Sequence, residues 1–290
     1  MLIDTHAHVN FNAFKEDSAA VLKRALENDT WVIMPGTQFS TSKRSIEMAE
    51  RYQEGIYASI GLHPIHLGEQ RKVDVLEVQS EQAKTEPWMT FETNSEEFDY
   101  EKYKALGQSR KVVAIGECGL DYYYEPKGKE KREAQRRKQK TALALQMKLA
   151  DELNLPVIFH CRKAHDDFIE LLKNYQLPTK NLRGVVHCYT GNLKQAEQFY
   201  KLGLYFGFNG LIFKNVPALP DPAEVVKNIP LERILLETDS PYLVPSEAGT
   251  ERNEPLFVKY IAEQIARIKD IAVKEVASVT TQNAKTLFGI

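Results

Sequence analysis

Cysteine is scarce. Cys118, Cys161 and Cys188 are the only three in 290 residues, they cannot all pair, and no two stand in CxxC spacing. Neither a disulfide scaffold nor a four-cysteine zinc site is therefore expected. Long apolar runs are missing as well: no stretch approaches the roughly 18 residues of a spanning helix. Met1-Leu2-Ile3-Asp4-Thr5-His6 shows no basic segment leading into an apolar one, so a cytoplasmic protein with no membrane partner is expected. Nor does one sign of charge dominate. Lys and Arg total 38 against 40 Asp and Glu, a formal net charge of −2, which excludes a protein that coats nucleic acid through bulk charge and leaves only a local basic patch. Internal repeats and low-complexity tracts are absent too. What the chain does have is 43% hydrophobic and 27% charged residues, enough for one large core.

Short apolar runs alternate with helical patterns, the signature of parallel βα units. Eight such runs occur: Leu2–Val9, Trp31–Thr37, Ile56–His63, Val112–Leu120, Pro156–Arg162, Gly184–Tyr189, Leu204–Asn209 and Arg233–Asp239. Several are apolar on both faces, as strands buried under helices must be. Helices are expected at Asp17–Asn28, Ser40–Gln53, Lys129–Asn154, Ala164–Tyr175 and Leu193–Leu202, with a C-terminal pair at Glu254–Lys269 and Val273–Phe288. The pattern predicts an α/β fold, a single (β/α)8 TIM barrel spanning residues 1–290, with an insertion between strands 3 and 4 and C-terminal helices.

Two stretches are biased in charge. From Glu69 to Glu101 there are ten acidic residues against Arg71, Lys72 and Lys84; Trp88, Met89 and Phe91 within it point to an extra packed hairpin or helix. From Lys127 to Lys140 there are eight Lys or Arg and only Glu130 and Glu133, either an exposed helix face or a phosphate-binding surface.

The chemistry begins with His6 and His8. Residues two apart on a strand share a face, so both imidazoles can reach one metal ion, although two hydrogen-bonded core histidines would give the same pattern. The context extends the reading. Glu117, His160, His187 and Asp239 fall near the ends of the fourth, fifth, sixth and eighth predicted strands. In such a barrel the C-terminal strand ends ring the active site, so residues from five strands converge on one mouth. Four imidazoles and two carboxylates exceed what one tetrahedral ion uses. Two divalent ions (Mg, Mn or Zn) sharing a bridging carboxylate need about this many ligands, and burying such a set without a cation would be costly.

Asp4-Thr5-His6-Ala7-His8, Gly61-Leu62-His63-Pro64, Gly116-Glu117-Cys118-Gly119-Leu120-Asp121-Tyr122, His160-Cys161-Arg162, His187-Cys188-Tyr189-Thr190-Gly191 and Glu237-Thr238-Asp239-Ser240-Pro241-Tyr242-Leu243 occur in this order, followed by Arg252-Asn253-Glu254-Pro255. With these motifs the chain resembles the TatD family of metal-dependent hydrolases over nearly its whole length. The resemblance implies a (β/α)8 barrel of the amidohydrolase superfamily and a divalent-metal-dependent deoxyribonuclease with 3′-5′ exonuclease action; single-stranded DNA ends are the expected substrate because a deep barrel mouth admits a strand terminus more readily than a duplex. It also implies that His6, His8 and Asp239 hold one ion, that His160 and His187 hold the other, and that Glu117 bridges them. Asp239 is the candidate general base. His63 is expected to donate a hydrogen bond to a phosphate oxygen or to the nucleophile, unless it only caps its own Pro64 turn.

Arg162 and Arg252 can each form a bidentate pair with phosphate or, alternatively, a supporting salt bridge. Glu237 shares a strand face with Asp239 and is expected behind the ligands. Tyr122, Tyr123 and Tyr124 can stack on bases, with barrel packing the alternative. His66 and His165 match no ligand position and are expected at the surface or behind the ligands. Val9-Asn10 departs from the leucine and aspartate common after the paired histidines, which leaves the ligands untouched. Two competing readings remain, a hydrolase of a small amide, ester or lactone on the same scaffold and a non-catalytic binding protein; the complete ligand set argues against the second.

Overall fold

The eight predicted apolar runs form eight of the ten strands in the computed structural model, which describes residues 1–70, 72–74, 90–175 and 182–290. In chain order they are β1 (Leu2–Asp4), β2 (Thr30–Pro35), β3 (Ile56–Ile60), β4 (Lys72–Asp74), β5 (Thr90–Glu92), β6 (Val112–Asp121), β7 (Val157–Arg162), β8 (Gly184–Val186), β9 (Tyr205–Phe208) and β10 (Ile234–Leu236). Eight of them pair in parallel in the order β1-β2-β3-β6-β7-β8-β9-β10, as eight βα units require. Backbone bonds join the two ends: Thr5 N–H donates to Leu236 (3.0 Å), Asp239 N–H to His6 (2.8 Å) and His8 N–H to Ser240 (2.7 Å). The helices are α1 (Ser18–Glu27), α2 (Phe39–Ala49), α3 (Tyr100–Leu106), α4 (Lys129–Glu152), α5 (His165–Asn174), α6 (Leu193–Lys201), α7 (Pro222–Asn228), α8 (Val258–Lys269) and α9 (Val273–Phe288). No described helix is long and apolar enough to cross a membrane.

Inside the barrel the alternation of strand side chains builds two layers. Ile3, Ile33, Tyr57, Val113, Ile158, Val185, Tyr205 and Leu235, one from each strand, pack together with Leu287 and Phe288 of α9, which close the lower end. Counting onward by twos from these positions reaches His63, Glu117, His160, His187, Asn209, Glu237 and Asp239. The apolar floor thus sets which face of each strand carries polar groups at the other end.

Three expectations need correction. The first strand ends at Asp4, so His6 and His8 lie beyond it, in an extended segment held by bonds to both neighbours, including Ala7 N–H to Ile33 (3.1 Å). Glu117 is not at a strand end; it sits inside the ten-residue β6, where the register with β7 shifts between Ile115 and Cys118. Gly116 makes this bulge possible, with φ +147° and the Ile158 carbonyl 2.6 Å from where a Cβ would stand. His66 and His165 are buried, 5% and 9% exposed, and not at the surface. Burial lowers the pKa of each to about 4. In the acidic insertion β4 and β5 form an antiparallel hairpin, and Glu96 reaches back to accept from Phe39 N–H at the start of α2 (3.1 Å) and from the Tyr103 hydroxyl (2.9 Å). The packing expected of Trp88 and Met89 lies outside the described residues. Helices α3 and α7, seven residues each, were not expected; both are too short to show a helical period.

Helix α4 is pinned by two glutamines seven residues apart. Gln139 brackets the backbone of Asp121, accepting from its N–H (3.0 Å) and donating to its C=O (2.9 Å); Gln146 does the same to Leu62 (2.8 and 3.1 Å). Asp121 ends β6, so the ten helical residues before Gln139 project about 15 Å past the strand end, beyond the rim of the barrel.

Asp4 locks the seam. Its carboxylate accepts from Thr238 N–H (2.9 Å), the Thr238 hydroxyl (2.6 Å) and His6 N–H (3.2 Å), tying β1 to the segment after β10. Burial lifts this carboxyl well above the usual range, against the pull of the hydrogen bonds. Asp4→Asn, which resembles the protonated acid in shape and keeps an acceptor, should cost about 1 kcal/mol or less, whereas Asp4→Ala orphans two backbone donors and should cost about 3 kcal/mol. Urea unfolding of the two variants distinguishes them; equal losses would contradict the account.

Candidate metal centre

Five imidazoles from four strand ends face one carboxylate. His160 Nδ1 and His187 Nε2 each lie 2.8 Å from Glu117 Oε1, and His63 Nε2 lies 3.3 Å from the same atom. His6 Nε2 and His8 Nε2 approach Glu117 Oε2 at 3.3 and 3.7 Å. On the far side of this pair Asp239 Oδ1 is 3.9 Å from His6 and 3.5 Å from His8. Every ligand candidate named from sequence is thus brought to one place. Glu117 and His187 are buried, while Asp239 keeps 14% and His160 16% of the side chain exposed, which orients the open side of the cluster.

Rings and carboxylates hold the imidazoles in position. His6 stacks on His187 with centroids 3.9 Å apart, and Phe11 stacks on His8 at 4.2 Å. Behind His187, Nδ1 is 3.5 Å from Glu237 Oε1, an oxygen that also accepts from Cys188 N–H (2.6 Å) and Asn209 Nδ2 (3.1 Å). Glu237 lies flat against Gly207, where any Cβ would collide with Oε2. Behind His160, Nε2 is 3.4 Å from Asp121 Oδ2. These are the carboxylate–histidine contacts that orient metal ligands. Sequence reading placed Glu237 but missed Asp4, Asp121 and Asn209; the spacing of Asp4 and Asp121 within their motifs was the available signal.

The charges are mutually dependent. Burial alone would push the Glu117 carboxyl up, but the imidazoles of His187, His63 and His6 and the hydrogen bond from His160 outweigh it and hold the group well below the usual carboxylate range. Asp239 behaves likewise: burial opposes ionisation, and His8 and His6 more than compensate. For His187, burial disfavours the cation, yet Glu117 and Glu237 raise its pKa well above the ordinary value. Positive charge is therefore held at His187 beside ionised Glu117, whereas burial lowers the pKa of His6 and His63. His6 Nε2 and His8 Nε2 are only 3.2 Å apart. That separation fits two nitrogens sharing an ion, for which Zn–N bonds of about 2.1 Å give about 3.0 to 3.4 Å between neighbouring ligands. The His and Glu groups are positioned for a metal site.

His63 has a different role. Its Nδ1 accepts from Ile65 N–H (3.0 Å), so the neutral ring carries its proton on Nε2, the atom turned toward Glu117. It both caps the Pro64 turn and presents a donor to the centre. Arg162 lies over the Tyr123 ring at 3.7 Å, beside the same mouth. Arg252 takes the salt-bridge alternative: its terminal nitrogens engage Asp17, at 3.0 and 2.5 Å, and the Ala13 carbonyl (2.7 Å), fastening its loop to the start of α1. The phosphate contact expected of it is not supported by this geometry. Tyr122 is packed, donating to Asp167 (2.9 Å) with the Arg136 guanidinium 4.1 Å above its ring.

A family profile described as TatD related DNase matches residues 3–289. The chain is 39% identical over 292 residues, covering both proteins fully, to an uncharacterized metal-dependent hydrolase, YabD, of Bacillus subtilis. It is 32% identical over 294 residues, again covering both fully, to a protein of Erwinia amylovora named 3′-5′ ssDNA/RNA exonuclease TatD. Among solved structures, the TatD homolog YJJV from Escherichia coli K12 superposes with a TM-score of 0.77 at 32% identity, covering 100% of this chain and 98% of that one.

Because Glu117 is the one group that all five imidazoles face, Glu117→Ala should lower the divalent metal retained per chain and remove most of the metal-induced rise in Tm. For the parent protein that stabilisation is about 2.7 kcal/mol at a hundredfold excess of Mn²⁺ over Kd. Metal analysis combined with thermal scans in EDTA and in Mn²⁺ measures both. Unchanged metal content and an unchanged Tm shift in the variant would contradict the assignment.

Proposed function

The chain belongs to the TatD-related family of metal-dependent hydrolases, and from that premise we propose that it hydrolyses phosphodiester bonds of DNA at the 3′ ends of single strands. The observation that carries this reading is the convergence of His6, His8, His63, His160 and His187 on Glu117, with Asp239 alongside. In the proposed arrangement His6, His8 and Asp239 hold one divalent ion, His160 and His187 a second, and Glu117 lies between them. The chemistry such ions supply when bound is Lewis-acid stabilisation of charge on the phosphoryl and leaving oxygens.

The remaining work falls to the chain itself. Asp239, ionised and partly open to the mouth, accepts the proton of the attacking water at its carboxylate. His63 donates from Nε2 to a non-bridging phosphate oxygen. The new P–O bond forms as the bond to the preceding 3′-oxygen breaks; that oxygen takes a proton from solvent to become the new 3′-hydroxyl, and a nucleoside 5′-monophosphate is released. Glu117 is nearly fully buried, so a scissile phosphate must descend below the rim, which a strand terminus achieves more readily than a duplex. Above the rim, Arg162 with Tyr123 and the overhanging start of α4 offer positive charge and an aromatic face to the incoming strand.

Product analysis on 3′- and 5′-labelled single strands of DNA and RNA, with Mg²⁺, Mn²⁺ or Zn²⁺, tests the reading. We expect mononucleotide from the 3′ label and a descending ladder from the 5′ label. Turnover of a lactone or amide without cleavage of either nucleic acid would overturn it. Asp239→Asn should keep part of its metal and lose about 10²-fold or more in kcat, the scale of a lost general base; undiminished kcat would remove Asp239 from that role.

The overhang of α4 generates a separate prediction. Arg136 is committed to Glu125, and Lys140 to Asp167 (3.0 Å). Arg132, seven residues before Gln139 and so on the same helix face, is exposed, as are Arg137 and Lys131, the last 4.0 Å from Glu69 Oε1. Replacing Lys131, Arg132 and Arg137 with Gln should raise KM for long strands and flatten the log–log salt dependence of binding by about one unit per lost phosphate contact. Equal slopes for variant and parent would make this face merely solvated.

A further inference from the structure

The loop between β2 and α2 is hydrogen-bonded to three other segments within four residues. Gly36 C=O accepts from Glu117 N–H (2.9 Å), Thr37 C=O accepts from His63 N–H (2.9 Å), and Phe39 N–H donates to the Glu96 carboxylate (3.1 Å). Glu117, His63 and a residue of the acidic insertion thus share one frame. Glu96 is half-buried, whereas Glu92 and Glu97 near it are exposed. Its Oε1 also accepts from the Tyr103 hydroxyl of α3 (2.9 Å).

The segment that follows β5 also grips the turn that bears His63. His66 Nδ1 lies 3.2 Å from Asn94 C=O, and Glu96 N–H donates to His66 C=O (2.9 Å). A carbonyl oxygen only accepts, so His66 donates from Nδ1. Burial, which lowers its pKa to about 4, keeps that ring neutral. His66 N–H in turn donates to His63 C=O (3.1 Å), and Ile65 N–H donates to His63 Nδ1 (3.0 Å). At the other end of the same ring, His63 Nε2 is 3.3 Å from Glu117 Oε1. Asn94 is held as well, its C=O accepting from Gln38 Nε2 (3.3 Å), and Thr93 before it is buried. Residues 94–96 therefore tie the turn bearing His63 to the start of α2 and to α3.

We propose that Glu96 and His66 are positioning residues for His63, so that the acidic insertion sets where His63 Nε2 stands relative to the substrate phosphate; the proposal rests on the phosphodiester reading of the centre. Strand β3 ends at Ile60, so strand pairing does not fix His63. The 3₁₀ turn that follows, Pro64–Leu67, is too short to hold itself rigidly. Bonds from residues 94–96 supply the missing constraint on one side of the turn, and Thr37 supplies it on the other. Placement of this kind matters to rate, because a displacement of about 1 Å at a reacting group can cost about 10²-fold.

Hydrogen exchange and kinetics on the full chain test this. In EDTA, Glu96→Ala should speed exchange of the Ile65 and His66 amides about tenfold or more while leaving the amides of α9 unchanged. Glu96→Gln, whose amide oxygen still accepts, should keep the parent's rates. With Mn²⁺ and a 3′-labelled single strand, Glu96→Ala and His66→Phe should each lower kcat about tenfold or more and change KM less than about twofold. On a His63→Gln background the same substitutions should cost less than about twofold further, because their route to the substrate is already gone. Parent exchange rates in Glu96→Ala, or losses that multiply in full on the His63→Gln background, overturn the proposal. If Glu96→Ala does not fold, His66→Phe carries both comparisons. Cleavage by a parent whose variants keep its kcat would sink the positioning role and spare the nuclease reading. Faster exchange in Glu96→Ala, with no strand cleaved by the parent, would do the reverse.

Discussion

The centre depends on one buried carboxylate. Glu117 is withdrawn from solvent into the interior of β6, and it stays ionised there because five imidazoles from four strand ends face it. Neither side of this arrangement is stable alone: an unpaired buried carboxylate is costly, and so are buried imidazolium groups at His160 and His187 without a counter-charge. The bulge at Gly116 is what presents the side chain from mid-strand.

The rest of the barrel keeps that geometry fixed. A floor of apolar side chains, one from each strand, closes against α9 and sets the alternation that carries polar groups to the mouth. At the seam Asp4 holds the segment bearing Asp239 against the segment bearing His6 and His8, so residues more than two hundred positions apart meet through one carboxylate. Glu237 and Asp121 stand behind His187 and His160. Gln139 and Gln146 satisfy strand-end backbone groups that would otherwise be buried without partners, and they fix how far α4 extends beyond the rim.

Much of this is legible in the sequence, and the boundary is physical. Eight βα units follow from hydrophobic alternation, and His6, His8, His160, His187 and Asp239 stand out because metal-binding residue types recur at the ends of apolar runs. The register shift beside Glu117 is not visible, since a bulge changes pairing without changing composition. Gln139 and Gln146 read as interruptions of an apolar helix face, because their partners are backbone atoms of strands remote in sequence. Arg252 looks as suited to phosphate as Arg162 until the fold brings Asp17 to it. Residues whose partner is chosen by tertiary structure are the ones sequence reading leaves undecided.

The central claim, that Glu117 organises a divalent-metal centre, is tested most directly by anomalous diffraction from crystals soaked in Mn²⁺. The account predicts anomalous density on both sides of the Glu117 carboxylate, one peak within bonding distance of His6, His8 and Asp239 and the other of His160 and His187. Ordered crystals with no anomalous density beside Glu117, or with manganese held only by other residues, would contradict it.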